Sequence, residues 1–398
     1  MTGPTEDGIT HDRAGIRKLS AVGLAGGLIG VGICRFAYTP LVPVMIGEGW
    51  ITEAEAGYLG AINFTGYAAG AALAWASAKW LGTGRSVHLN IALCFLSLAL
   101  AALPWGFHWL ALWRFVAGYG GAVLLVLVGP AVLAQVPAER WGFVTGVIFT
   151  GIGAGVAATG TVVPLLAGFG ATAAWSGLAA LVLLLAIMVK AFWREPPAEG
   201  LSPPTGEAKA RIGLPAFMLC LSYTTFAVGI APHTIFWVDY LARGLDMGIS
   251  VGGLHWTIIG LLAVASPALV GRIAQKFGFG NTLAAAMAVA AFGVALPVVL
   301  RAPEWQILSS VLFGLTMPST VGLFAGRTAE IGGRRGQRRL WWLMTMWFAL
   351  VQTAAFYGMS ALFEATRAYL PLFAIAGGML AVGTVTVLPV WGRAGNAR

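Results

Sequence analysis

Residues 141–189 read WGFVTGVIFTGIGAGVAATGTVVPLLAGFGATAAWSGLAALVLLLAIMV, 49 positions without a charge. One helix of that length would run about 74 Å, more than twice the ~30 Å of hydrocarbon in a bilayer. The run therefore holds two membrane spans, with Gly168-Phe169-Gly170 as the turn between them. Its apolar residues do not alternate with polar ones as in the strands of a membrane barrel, so the spans are helices. Working outward from this run, charged residues delimit apolar segments at 19–46, 56–78, 86–103, 109–134, 142–166 and 172–192, then at 212–238, 247–271, 277–300, 305–326, 340–363 and 368–392. Each is close to or above the ~20 residues that a crossing needs. The whole chain of 398 residues is 58% hydrophobic and 10% charged, against about 25% charged in a soluble domain. The expected fold is all-α and polytopic, with twelve transmembrane helices in two pseudo-symmetric six-helix bundles, 19–193 and 212–392. Residues 1–18 and 393–398 are read as tails, and the proline-rich segment 194–211 as a polar linker.

The basic residues orient this layout. Of 24 Lys and Arg, 19 fall on the side of the N-terminus, linker and C-terminus, and only Arg243, Arg301 and Arg367 on the other. The positive-inside rule then places both termini in the cytoplasm of a cell with an inner or plasma membrane. The net charge of +9 follows from topology and does not call for nucleic acid; Arg334-Arg335-Gly336-Gln337-Arg338-Arg339 reads as a cytoplasmic anchor before the eleventh span. The run from Leu19 is too long for a signal-peptide core and is read as an uncleaved first span. Cys34, Cys94 and Cys220 lie in apolar segments without metal-like spacing, so neither a disulfide framework nor a metal site is expected. Two equal halves joined by a linker are the layout of a transporter whose halves rock about a midplane site. Gly32-Ile33 and Gly229-Ile230, each closely followed by proline, form a faint internal echo.

Within the first span, Gly32-Ile33-Cys34-Arg35-Phe36-Ala37-Tyr38-Thr39-Pro40-Leu41-Val42-Pro43-Val44-Met45 places an arginine at bilayer depth ahead of two prolines. Such a charge costs about 2.5–3.5 kcal/mol on insertion scales unless it meets a partner or water. The prolines remove backbone donors, and the freed carbonyls need other partners. Arg35 is read as part of a cavity wall, with snorkelling to the headgroups as the alternative. Helical rise puts Arg35 ~24 Å from the inner start of span one, and Arg114 and Asn63 ~8–10 Å below the outer surface. Tyr67, Tyr223 and Gln352 come near the middle of spans two, seven and eleven, where an inter-helix hydrogen bond competes with a substrate role. His255 lies ~12 Å into span eight, and His233 and Asp239 near the outer end of span seven. The other acids all sit in tails or loops, so a coupling proton has only His255, His233 and Asp239 to use.

The first-span motif from Gly32 to Pro40, the second-span residues Gly57, Asn63, Gly66, Tyr67 and Gly70, and Ala231-Pro232-His233-Thr234-Ile235-Phe236-Trp237-Val238-Asp239-Tyr240 resemble the YbfB/YjiJ-type branch of the major facilitator superfamily. Arg114-Phe115-Val116-Ala117-Gly118 is similar to the superfamily's fourth-helix arginine motif. The signature after spans two and eight departs from the family pattern: Gln275 stands where an Asp is usual, and Lys79-Trp80-Leu81-Gly82-Thr83-Gly84-Arg85 also lacks the acid. Gly146, Gly151, Gly153, Gly155 and Gly160 in span five suggest close helix contact more than ion binding. The resemblance implies a secondary transporter with both termini cytoplasmic; the chain is further expected to work by alternating access, not as an enzyme, without a cofactor and as a monomer in the bilayer. Its substrate is expected to be a small, anionic organic solute. The candidate substrate site is Arg35, Tyr38, Asn63, Tyr67, Arg114, Tyr223, His255 and Gln352, with His233 and Asp239 as gating or coupling residues. Efflux of hydrophobic or drug-like compounds is the alternative, and a membrane-embedded enzyme would need a nucleophile or metal cluster that the sequence does not display.

Overall fold

Long apolar segments leave the backbone no water to bond to, so each must satisfy its own N–H and C=O groups as a helix. The computed structural model describes residues 10, 12–197 and 213–388. Most of the expected linker, both chain ends and the side chains of Arg334, Arg335, Arg338 and Arg339 lie outside the described set, and with them the expectations about the tails and that basic run. Twelve helical passes follow one another: α1 (Arg13–Gly47), α2 (Glu53–Leu81), α3 (Thr83–Ala101), α4 (Phe107–Leu133), α5 (Trp141–Ala167), α6 (Ala171–Phe192), α7 (214–244), α8 (Ile249–Phe277), α9 (Phe279–Val299), α10 (Pro303–Gly332), α11 (Leu340–Thr366) and α12 (Leu370–Thr386). Ten are long and apolar enough to cross a membrane. The other two are α12, which is 17 residues long, and α2, whose 29 residues carry many alanines and glycines and charges near both ends.

The turn at Gly168-Phe169-Gly170 forms as the sequence suggests. Gly170 has φ +96°, which a side chain would strain, and Glu48 accepts the Ala171 N–H at 2.8 Å to cap α6. Helical hydrogen bonding runs through the α10–α11 junction, from Pro303 to Thr366. A straight helix would put Ser310 and Phe363 about 80 Å apart. Both nevertheless pack on neighbouring residues of α7: Ser310 accepts from Trp237 at 2.9 Å and the Phe363 ring lies 5.3 Å from that of Phe236. The chain therefore reverses between the two passes. Gly332, where a Cβ would lie 3.0 Å from the Gln337 backbone nitrogen, marks the tight bend.

Side chains of α1–α6 form one hydrophobic core, and those of α7–α12 a second that also takes in Val31, Phe36, Ala61, Phe64 and Val156 from the first bundle. The borrowed residues mark the seam. Along it, a Cβ on Gly260 would come within 2.2 Å of the Ala157 nitrogen, and one on Gly160 within 2.6 Å of the Thr257 nitrogen, so α5 and α8 touch backbone to backbone. Phe64 of α2 meets Phe356 of α11 at 4.0 Å, and Tyr58 donates to Glu364 at 2.8 Å. Among the described residues, every inter-bundle hydrogen bond lies between the face carrying Glu53 and the level of Arg35. Toward the opposite face Trp141, Phe143 and Phe149 of α5 and Leu269, Ile273 and Phe277 of α8 are exposed. Among the described residues the polar contacts between the bundles thus end at the level of Arg35, and in that sense the seam opens beyond it.

Candidate substrate site

Arg35 occupies the point where the seam opens, and it gets there because α1 is broken. Residues Leu28–Ile33 are wound as a π-helix, with Cys34 N–H bonded to Ile29 and Phe36 N–H to Val31 before α-geometry resumes at Tyr38. The break takes the Cys34 carbonyl out of the helical ladder. Arg114 Nη1 donates to that oxygen at 3.0 Å, and Asn63 Nδ2 donates to it at 3.3 Å and to the Arg114 carbonyl at 2.8 Å. Close packing of α2 on α4 makes this reach possible: a Cβ on Gly118 would fall 2.0 Å from the Asn63 carbonyl oxygen. The Arg114 guanidinium lies over the Tyr38 ring at 4.2 Å, and Tyr38 donates to the Ala56 carbonyl at 2.7 Å. With Arg114 2% and Asn63 1% exposed, these three side chains brace the broken helix.

Arg35 is different. It is half-buried, and its Nη2 donates across the seam to Gln352 Oε1 of α11 at 3.0 Å. The guanidinium is turned into the bundle interface and does not run out along α1 to a membrane surface. Phe64, Phe36 and Tyr67 rings surround it at 3.8, 5.0 and 5.1 Å. Arg35 Nε and Gln352 Nε2 are buried donors without a partner. Tyr67 and Tyr223 both lie within electrostatic range of the guanidinium. Tyr223 belongs to an aromatic wall, 4.4 Å from Phe348, 4.5 Å from Phe324 and 5.9 Å from Trp341. Among the described residues no carboxylate lies within ion-pair distance of Arg35.

The remaining candidates separate into two places. His233 and His255 are buried inside the second bundle: His233 Nε2 meets Ser309 Oγ at 2.9 Å while stacked on Trp237 and Phe313, and His255 Nδ1 meets Ser310 Oγ at 2.8 Å. Ser310 Oγ also accepts the Trp237 indole N–H. Neither histidine has a contact with Arg35. Asp239 sits at the Glu53 face, where it accepts from Tyr369 at 2.6 Å and from Arg243 at 3.4 Å. Arg243 in turn pairs with Glu53 of α2, which Arg367 also approaches at 3.9 Å. Asp239 thus orients an ionic cluster that bridges the bundles. Among the described residues no group of three His, Cys, Asp or Glu side chains is placed to hold a metal.

Phe64, Phe348, Trp341, Glu53 and the Ser309–Ser310 pair escaped the sequence reading. An aromatic in an apolar helix carries no signal until its facing helix is known, and Glu53 reads as an ordinary charge beside a helix start.

Two six-helix bundles around a polar seam are the layout of the major facilitator fold, with Arg35 at the level where the described polar contacts between them end. The chain belongs to the family described as "Uncharacterised MFS-type transporter YbfB", whose family model matches residues 27–388. A sequence search of curated proteins found no match. Among solved structures, a D-xylose-proton symporter is similar with a TM-score of 0.77 at 16% identity, over 95% of this chain and 99% of that one. The xylose transporter XylE from E. coli, in a partially occluded inward-open conformation, gives 0.73 at 14% identity over 96% and 98%. A bacterial homolog of the human lysosomal transporter Spinster, inward-facing and unoccupied, gives 0.69 at 16% identity over 96% and 95%. At these identities the likeness is one of fold.

Proposed function

We propose that this transporter carries a small anionic organic solute across the inner membrane by alternating access, with Arg35 as the anchor for the anion. The observation behind this reading is a guanidinium at the opening of the seam that has no carboxylate partner among the described residues. A buried charge of this kind is costly unless its ligand or water completes it. Gln352 holds the guanidinium in orientation, and Tyr67 and Tyr223 complete the wall. A cationic drug would meet repulsion at the same point, which disfavours the efflux alternative. The Lys and Arg asymmetry, 19 against 3, supports placing both termini in the cytoplasm, with the Glu53 face outward. In that orientation the seam opens inward.

Arg35→Lys and Arg35→Ala, compared with wild type at matched expression, test the assignment. Lysine keeps the charge and loses the planar fork, so binding of an anionic solute is expected to fall roughly tenfold to more than a hundredfold, the equivalent of a charge-assisted bond of about 1.5–3 kcal/mol. Undiminished binding in both variants would reject Arg35 as the anchor.

A further inference from the structure

We infer that the solute is a monocarboxylate with a flat, aromatic body, a narrowing that rests on the anionic reading above. Charge count comes first. Arg114, the other arginine within a span of the first bundle, is 2% exposed and bound to the Cys34 carbonyl and the Tyr38 ring. Among the described residues Arg35 is then the one cation available at this level of the seam, and a second carboxylate on the ligand would be buried there without a counter-charge. The donor set agrees. Arg35 Nε and Gln352 Nε2 are both unpartnered and buried, and the 3.0 Å bond between Nη2 and Oε1 holds the two side chains together. Two fixed N–H donors beside one positive charge match the two oxygens of one carboxylate.

The body of the ligand is set by the surroundings. The Tyr67 ring lies 5.1 Å from the guanidinium carbon, and across the seam Phe348 and Trp341 flank Tyr223 at 4.4 and 5.9 Å; Tyr67, Phe348 and Trp341 are each partly exposed. Such a wall offers ring faces and few hydroxyls, so it suits an arene better than a sugar or polyol. In an aryl carboxylate the ring is nearly coplanar with the carboxylate. A carboxylate held between the Arg35 Nε and Gln352 Nε2 donors therefore carries its ring in the carboxylate plane, along those faces.

The test is calorimetric titration of the full-length protein in detergent with benzoate, cyclohexanecarboxylate, phthalate and benzamide. Benzoate is expected to bind about threefold to tenfold more tightly than cyclohexanecarboxylate and on the order of tenfold or more tightly than phthalate, with benzamide not binding. In Phe348→Leu, which keeps an apolar side chain and leaves both donors intact, the preference for benzoate over cyclohexanecarboxylate should narrow toward unity. Phthalate or cyclohexanecarboxylate binding as tightly as benzoate, but lost in Arg35→Ala, would overturn the aromatic monocarboxylate and leave the anion anchor standing. Benzamide binding as well as benzoate, acids binding equally to folded Arg35→Ala, or no binding by any of the four at the solubility limit would overturn both.

Discussion

Two arginines at bilayer depth divide the work of the first bundle, and a single carbonyl decides which does what. The Cys34 oxygen takes Arg114 and Asn63 because the π-turn has removed its helical partner. Replacing Arg114 by leucine leaves that oxygen with one weaker donor, and should cost roughly 1.5–3 kcal/mol of stability. The check is the melting temperature in detergent. A variant that melts like wild type yet loses solute binding would place Arg114 in the binding site and not in the brace. Both arginines were legible in the sequence, since a charge inside an apolar run stands out. Their separate roles were not, because they depend on which carbonyl the break in α1 sets free. His255 shows the same limit: its depth pointed to the pathway, whereas its partner Ser310 faces the interior of the second bundle.

At the scale of elements, the glycines of α5 sort by the face they present. Gly151 and Gly155 press on α1, Gly153 and Gly160 on α8, and Gly146 meets nothing within 4 Å. A Cβ on Gly155 would lie 2.5 Å from the Gly32 Cα. Gly155→Val should therefore separate α1 from α5 and cost several kcal/mol, within the upper range seen for overpacked cores. Gly146→Ala, in open space, should be neutral or stabilise by up to about 1 kcal/mol through helix propensity. Equal melting temperatures for the two variants would contradict this division. The sequence indicated close packing from the spacing of small residues, but their partners needed the third dimension.

A further element-level feature lies at the turns after α2 and α8. The missing signature acids put an acid-based latch in doubt, yet carboxylates from elsewhere fill comparable places. Glu195 accepts the Gly84 N–H at 2.9 Å at the start of α3, and Glu330 accepts the Phe279 N–H at 3.2 Å at the start of α9. Glu330 is itself held by Arg327. Each helix start carries partial positive charge that an anion satisfies. The two caps come from different places in the two halves, from beyond α6 in one and from α10 in the other. A search for local motifs passes over such an arrangement.

At the scale of the whole molecule, the seam is closed at one end by few polar contacts. Thr39 donates to the Thr234 carbonyl at 2.5 Å, Tyr58 to Glu364, and Arg243 to Glu53. Under alternating access these must part and re-form. Cysteines replacing Glu53 and Arg243, in a protein with Cys34, Cys94 and Cys220 changed to alanine, should crosslink readily and block transport until reduced. Full transport by the crosslinked protein would show that this face does not open in the cycle. Twelve passes and two halves were readable from charge punctuation and run length. Which face is closed was not, because the sequence is common to every state of the cycle.

The cluster of Arg243, Glu53 and Arg367 has a consequence for how the protein answers its surroundings. Its side chains are 31%, 33% and 61% exposed, so mobile ions reach them, and at 0.15 M salt the screening length is only about 8 Å. Exposed pairs of this kind contribute about 0–1 kcal/mol, at most a roughly fivefold weighting of one conformer over another. Raising ionic strength on that side alone should therefore loosen the closure and lower the crosslinking rate of the cysteine pair Tyr58→Cys and Glu364→Cys, which carries no part of the cluster itself. The balance between conformers would then depend on the salinity of the medium as well as on the solute.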